Sequence, residues 1–390
     1  MIGISKLLGA EDRFGDRLRY HKNIKSYKYG VREGRGPVVV WNATRSCNLN
    51  CIHCYSNSKA KKYRDELNTE EAKDFIDDLA NFNVPVLLIS GGEPLMRDDI
   101  FELIEYARSK GLRVTLSTNG TMITEEIAKR LKRSGISYVG ISLDGIGEEN
   151  DRFRGKEGAF DEALKGIRNC KLVDQKVGLR FTINRHNYES LEEILRLIEE
   201  ENIPRACFYH LVYSGRGSEM IDKDISHQES REVLDLLIAK VLEWESRGVD
   251  KEILTVDNHC DGIYLYLKLK EVGDERTNNV LELLKRNRGN RSGIAIANVD
   301  WQGRVHPDQF TQDYIVGNIK EKPFSQIWME DEGTILEKMR DRKRYLKGRC
   351  SGCRWIDICN GNFRPRAEAI YNDFWAEDPA CYLSDEEIGS

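Results

Sequence analysis

The stretch Thr44-Arg45-Ser46-Cys47-Asn48-Leu49-Asn50-Cys51-Ile52-His53-Cys54-Tyr55 decides how this chain is read. It follows the apolar run Val38-Val39-Val40-Trp41 and spaces three cysteines as C-x3-C-x2-C. Cys47, Cys51 and Cys54 thus offer three thiolates on one loop after a strand, with no fourth in register. A structural zinc site wants four protein ligands, whereas a cubane iron-sulfur cluster held at three irons leaves the fourth iron open to a small molecule. The set has one place free. A zinc knuckle or three unrelated core cysteines is the competing reading.

Outward from this loop, apolar runs alternate with amphipathic helical patterns from residue 37 to about 212. Strands are predicted at Val38 to Ala43, Val86 to Ser90, Arg113 to Ser117, Tyr138 to Leu143, Val177 to Ile183 and Ala206 to Leu211. Helices fall between them, among them Thr69 to Asn81, for which Asn68 and Glu71 form a capping box, and Ser190 to Glu201. Six βα repeats predict an α/β fold with a parallel sheet and helices outside. The chain then reads as helical to about Arg288, and the basic, Gly-bearing run Arg286 to Gly293 reads as a linker. The expected divisions are 1–36, 37–225, 226–292 and 293–390.

With 60 basic and 65 acidic residues the net charge is −5, so no polyanion-binding surface is implied and nucleic acid is not an expected partner. No apolar run is long enough to span a bilayer, and Met1 to Leu8 lacks a signal peptide's apolar core and cleavage site. A cytoplasmic protein independent of membranes is expected. Ten cysteines in such a chain argue for metal rather than a disulfide scaffold. Three lie near the start, four near the end, and Cys170, Cys207 and Cys260 read as small buried hydrophobes.

Gly91-Gly92-Glu93-Pro94 follows the second strand, where glycines let backbone groups approach a ligand closely. One βα unit after the cysteine loop, it completes a pattern that resembles the radical S-adenosylmethionine (radical SAM) enzymes. The resemblance implies a partial, open (β/α)6 barrel with its chemistry at the C-terminal strand ends. It also implies a [4Fe-4S] cluster on Cys47, Cys51 and Cys54 whose open iron chelates SAM, with Gly91, Gly92, Glu93 and Pro94 binding the methionyl ammonium. Ser117 and Asn119 at the third strand tip, and Ser142 at the fourth, match segments that contact SAM in the family. Asp144 reads equally as a turn residue that satisfies backbone groups, which is the lesser alternative for Asn119. On the fifth strand Arg180, Thr182 and Asn184 alternate with apolar residues toward the interior, which adds Asn184 or Asn187 to the candidate SAM site. The implied chemistry is reductive cleavage of SAM and hydrogen abstraction from a substrate carbon, fed by a donor such as ferredoxin or flavodoxin.

A second cysteine group, Cys350, Cys353 and Cys359 in C-x2-C-x5-C spacing with Cys381 after it, supplies four thiolates, enough for an auxiliary [4Fe-4S] cluster or a zinc ion. This tail resembles the SPASM/twitch-like extension of radical SAM enzymes and implies the cluster. It departs from a full SPASM domain, since Asp308 and Phe363 stand at two expected cysteine positions. One auxiliary cluster rather than two is implied, and His306 and Asp308 read best as a solvated turn, with a ligand or substrate contact as the alternative.

Four further segments resemble the tetrapyrrole-modifying branch of the family: Ile2 to Leu8 with Asp16 to Tyr20, His210 to Gly217, Asp257 to Gly262, and Asn362 to Ala367. That branch implies an iron tetrapyrrole substrate and a place in siroheme-dependent heme synthesis. The expected reaction is removal of acetate side chains from 12,18-didecarboxysiroheme to give iron-coproporphyrin III. Propionate removal in heme d1 synthesis, maturation of a ribosomal peptide, and a non-catalytic electron-transfer or zinc protein are the alternatives. Guanidinium forks match carboxylates bidentately, so Arg152, Arg154, Arg216, Arg364 and Arg366 are candidate substrate contacts, with plain surface charge as the alternative. His210 and His259 are candidate iron ligands or proton relays, against the default of a buried, hydrogen-bonded histidine.

Overall fold

The computed structural model describes residues 1–9, 12, 13, 15–21 and 27–389. Among them the strands are β1 (Ile2–Gly3), β2 (Val38–Thr44), β3 (Leu87–Gly91), β4 (Val114–Thr118), β5 (Val139–Ser142), β6 (Val177–Ile183), β7 (Arg205–His210), β8 (Glu252–Val256), β9 (Ile296–Val299), β10 (Arg304–His306) and β11 (Gly317–Asn318). They form one sheet in the order β1-β8-β7-β6-β5-β4-β3-β2-β9-β10-β11. Pairing is parallel from β9 through β2 to β8 and antiparallel at both edges. The sheet is an open, partial barrel.

Strand parity sorts the side chains. Val39, Trp41, Leu87, Ile89, Val114, Leu116, Leu179, Phe181, Ala206 and Phe208 point one way and are buried in the main core. Their alternates Val38, Val40, Leu88, Thr115, Ser117, Arg180, Thr182, Arg205 and Tyr209 line the lumen. The helix Thr69–Asn81 starts with the expected reciprocal cap: Glu71 N donates to Asn68 Oδ1 at 2.9 Å, and Asn68 N to Glu71 Oε2 at 2.9 Å.

Two features differ from expectation. The stretch read as continuous helix up to Arg288 contains β8, a seventh strand of the barrel whose five residues are too few to show a period beside long helical flanks. The run read as a linker is packed instead. Gly289, at φ 62°, brings its Cα so close to Cys359 that a Cβ would sit 2.0 Å from the Cys359 carbonyl oxygen, and Asn290 N donates to that oxygen at 3.0 Å. Because β9 pairs with β2, the C-terminal unit continues the barrel sheet.

Candidate active site

β2 carries the cysteine loop to the C-terminal edge of the sheet, and its neighbours clamp it there. Gly92 N donates to Thr44 O at 2.7 Å and Glu93 N to Ser46 O at 2.8 Å. A Cβ on Gly91 would lie 2.3 Å from Thr44 O, and one on Gly92 2.1 Å from Ser46 O. The close approach that requires glycine is therefore to the cysteine loop itself. Glu93 is fully buried and accepts from Thr118 Oγ1 at 2.8 Å, Asn119 N at 2.8 Å and Leu95 N at 3.1 Å. Burial raises its pKa against those donors, and the side chain ties β3 to β4. Asn119 Nδ2 donates to Asn48 Oδ1 at 2.8 Å inside the loop, while its Oδ1 accepts from Thr121 N at 2.9 Å. From the far side, Gly215 packs on Tyr55, Arg216 N donates to Cys54 O at 3.0 Å, and Arg216 Nε to Cys51 O at 2.8 Å.

The three thiols pack together around Leu49 and Ala159. Burial pushes Cys47 up to about 12 and Cys51 upward. Donors already face the sulfurs: Leu49 N lies 3.4 Å from Cys47 Sγ, and Arg154 Nη1 3.6 Å from Cys51 Sγ. Such donors favour thiolates, and a coordinating metal removes the thiol proton outright, so the residues fit a three-thiolate cluster site. Among the described residues no three metal-ligating side chains converge on the point a single ion would occupy.

Above and within the barrel lies a cavity of about 430 Å³ that runs from the N-terminal strand ends at Val38, Val86 and Arg113 to the tips at Ser90, Ser117 and Ser142. Gly140 makes room for Arg180, whose Nη1 donates to Ser117 Oγ and whose Nε has no hydrogen-bond partner among the described residues. Arg291, on the opposite wall, donates from Nη2 to Gly30 O at 2.8 Å. Burial, with Arg288 beside it, pushes its pKa down to about 10. Among the described residues neither guanidinium has a carboxylate within ion-pair distance. His53, between two of the cysteines, lines the cavity and stacks on Phe153 at 4.5 Å. Burial, then Arg154 and Arg216, lowers its pKa well below 6.5, so it is neutral.

The two candidate histidines reach the same cavity. His210 Nε2 stands 3.0 Å from Asp261 Oδ2. Burial opposes its charge, but the Asp261 carboxylate outweighs burial and raises its pKa. His259 is held through Nδ1 at 3.4 Å from Asn362 Oδ1, and burial keeps it neutral. Asp257, at φ 67° on the β8 tip, turns a carboxyl into the cavity, and burial pushes its pKa to about 7.

Several expectations are corrected. Arg366 is fully buried in a bidentate pair with Asp378, at 2.9 and 2.8 Å, and donates to Leu211 O and Asp257 O. Arg364 is buried too and lies outside the cavity lining, its two terminal nitrogens spent on the carbonyls of Phe374, Ala376 and Gly361. Arg216 braces the cysteine loop, and Arg152 is exposed beside Glu148. Of the five arginines, Arg154 alone lines the cavity, already paired with Asp144. Asn184 folds into its own turn, donating to Thr182 O at 2.9 Å and accepting from His186 N at 2.9 Å, so the residues of β6 that meet the cavity are Arg180 and Thr182. His306 and Asp308 are buried rather than solvated. Asp308 caps a turn at Phe310 and Thr311 and, with Phe363, lines the cavity. Sequence reading passed over His53, Arg291 and Asp257 as site residues and treated Arg180 only as a polar strand position. A guanidinium within a strand of a buried parallel sheet was the available signal.

A second, smaller cavity is lined by Cys350, Cys353, Cys359 and Cys381 together. Trp355 N points at Cys353 Sγ from 3.4 Å. Four thiols lining one cavity, with a backbone donor at one of them, supply the ligand set of a cluster closed by protein ligands.

Comparison with known proteins agrees with this geometry. Residues 41–198 match the radical SAM superfamily, and residues 293–354 match SPASM, an iron-sulfur cluster-binding domain. The chain is 53% identical to the Fe-coproporphyrin III synthase of Methanosarcina barkeri over 100% of its own length and 99% of the relative's. This chain belongs to the radical SAM superfamily. It is an enzyme, and its cofactors are SAM and iron-sulfur clusters. The pre-heme d1 synthase of Dinoroseobacter shibae is 44% identical over 96% of this chain and 94% of that protein. Streptococcus suis SuiB bound to S-adenosylmethionine shares the fold, with a TM-score of 0.70 at 18% identity over 88% of this chain and 77% of SuiB. No helix among the described residues is long and apolar enough to cross a membrane.

Proposed function

We propose that this radical SAM enzyme removes acetate side chains from 12,18-didecarboxysiroheme to give iron-coproporphyrin III. The observation that carries this reading is the 53% identity, end to end, with an Fe-coproporphyrin III synthase. The bound cluster on Cys47, Cys51 and Cys54, together with SAM, supplies hydrogen-atom abstraction. Gly91 to Pro94, Ser117, Asn119 and Ser142 form the SAM side of the site. The tetrapyrrole occupies the lumen cavity, and its carboxylates meet the half-buried Arg180 and Arg291, which have no carboxylate partner among the described residues. His53 and His259 are neutral there, while against burial the Asp261 carboxylate favours the charged form of His210. The reading includes a cytoplasmic location and a ferredoxin or flavodoxin as electron donor.

The 44% identity to a pre-heme d1 synthase favours propionate removal as the second reading. Anaerobic turnover of didecarboxysiroheme with reductant and SAM, followed by mass analysis, decides between them: loss of acetate supports the proposal, and loss of propionate overturns it. Arg180→Gln should weaken tetrapyrrole binding about ten- to a hundred-fold, the worth of one charged hydrogen bond, and leave both clusters in place.

A further inference from the structure

Cys260 reads from the sequence as one of three scattered core cysteines, and it is buried in the core, but at a particular place. It opens the helix Cys260–Glu271 and lines the same small cavity as Cys350, Cys353, Cys359 and Cys381. Its Sγ lies 3.3 Å from Cys381 Sγ. Thiolates bound to two different irons of one cubane stand farther apart than a sulfur contact, so Cys260 and Cys381 cannot both be ordinary ligands of the same cluster.

The surroundings of Cys260 assign it the donor's part. Its backbone N–H is fixed by Asn258 Oδ1 at 3.1 Å, and Asn362 Nδ2 approaches its sulfur at 3.8 Å. With that face of the sulfur receiving a donor, the thiol hydrogen is left to point toward the ligand sulfurs of Cys359 and Cys381, and the 3.3 Å contact is the one to Cys381. Asn362 also accepts from His259 N at 2.8 Å, and His259 lines the large cavity. The Cys260 thiol thus stands on the side of the four-thiol set that faces the substrate space.

We propose that Cys260 is a fifth thiol of the auxiliary iron-sulfur centre, a neutral S–H donor to the Cys381 thiolate that sets the centre's reduction potential. A hydrogen bond to a ligand sulfur stabilises the more negative, reduced cluster and raises its potential. The inference rests on the auxiliary centre and not on the identity of the tetrapyrrole, so its test needs no substrate.

The test uses the full chain with Cys47, Cys51 and Cys54 all replaced by alanine, so that a spectroscopic redox titration reports the auxiliary centre alone. Adding Cys260→Ala should keep about four irons, the content of one [4Fe-4S] cluster. It should also move the midpoint negative, so that the reduced-to-oxidised ratio at the parental midpoint falls about tenfold, the equivalent of one net hydrogen bond. Cys260→Ser keeps a donor and should shift it less. An unmoved midpoint in Cys260→Ala overturns the proposal. So does loss of iron on Cys260→Ala with retention on Cys381→Ala, which would make Cys260 the ligand. Zinc at this set would overturn the auxiliary centre and this inference together, while a failed tetrapyrrole assay would touch neither.

Discussion

Replacing Arg366 by methionine asks whether this guanidinium holds the molecule or its substrate. Arg366 and Asp378 are both 0% exposed, joined at 2.9 and 2.8 Å, and the remaining donors reach Leu211 O at 3.0 Å and Asp257 O at 2.6 Å. The pair therefore staples the C-terminal helix Arg364–Tyr371 to the ends of β7 and β8. Removing one partner of a buried ion pair costs about 3–5 kcal/mol, because the other charge is left without its counterion. After Arg366→Met, Asp378 keeps backbone donors from Phe363 and Ala380. Urea unfolding of the anaerobically reconstituted protein should show that loss, and adding Asp378→Asn, which removes the orphaned charge, should restore part of it. The pH dependence should change sign as well. Burial raises the Asp378 pKa, but Arg366 outweighs burial and holds it below the usual value. In the parent that stabilisation is present above the ordinary carboxylate pKa and is lost as pH falls through the depressed one. In Arg366→Met burial prevails, the pKa rises, and stability should decline as pH rises through it. A variant that unfolds like the parent yet binds the iron tetrapyrrole about ten- to a hundred-fold more weakly, the worth of a charged hydrogen bond, would refute this reasoning and return Arg366 to the substrate site.

Elemental analysis of the reconstituted protein should find about eight irons, and about four after alanine replacement of Cys47, Cys51 and Cys54, by the count of two [4Fe-4S] ligand sets. Gly92→Ala drives a Cβ to 2.1 Å from Ser46 O; the overpacking should cost about 1–3 kcal/mol and lower iron at the N-terminal set while sparing the C-terminal one. Asp257, with its pKa raised from 3.8 to about 7 by burial, contributes stability that is complete below 3.8 and lost as pH rises through about 7. Asp257→Asn should flatten that decline, worth up to about 4 kcal/mol at 1.36 kcal/mol per unit, in unfolding measured across the range.

What could be read from the sequence is what is encoded locally. The cysteine loop, the Gly91–Pro94 turn and six of the parallel strands announce themselves because spacing, turn chemistry and apolar runs lie within a few residues of one another. β8 did not: Glu252-Ile253-Leu254-Thr255-Val256 is short, polar at two positions and flanked by long helices, so helical periodicity on either side masks it. The lumen was half visible. Val38 and Val40 look no different from the core residue Val39 between them, whereas Arg113, Arg180 and Arg205 are charges set into or at the mouths of buried parallel strands, where only a lumen or a partner can accommodate them.

Long-range partners decided the rest, and they are where sequence reading misassigned arginines. Arg364 and Arg366 sit in a segment that resembles a substrate-binding branch, yet their receptors are backbone carbonyls and an aspartate twelve residues on from Arg366, brought together only by the fold. Arg180 carries no distinctive motif, but Gly140 on the adjacent strand clears its path and Ser117 receives one nitrogen. A guanidinium is available to a substrate only when the protein leaves part of its hydrogen-bonding capacity unspent. By that criterion and by place, Arg180 and Arg291 line the cavity with no carboxylate within ion-pair distance among the described residues, whereas Arg366 is consumed by Asp378 and Arg364, with only Nε unspent, is buried outside the cavity lining. The same accounting applies to the thiols: four are placed by their spacing, and the fifth, Cys260, is recognised by its 3.3 Å contact with Cys381 across more than a hundred residues of chain.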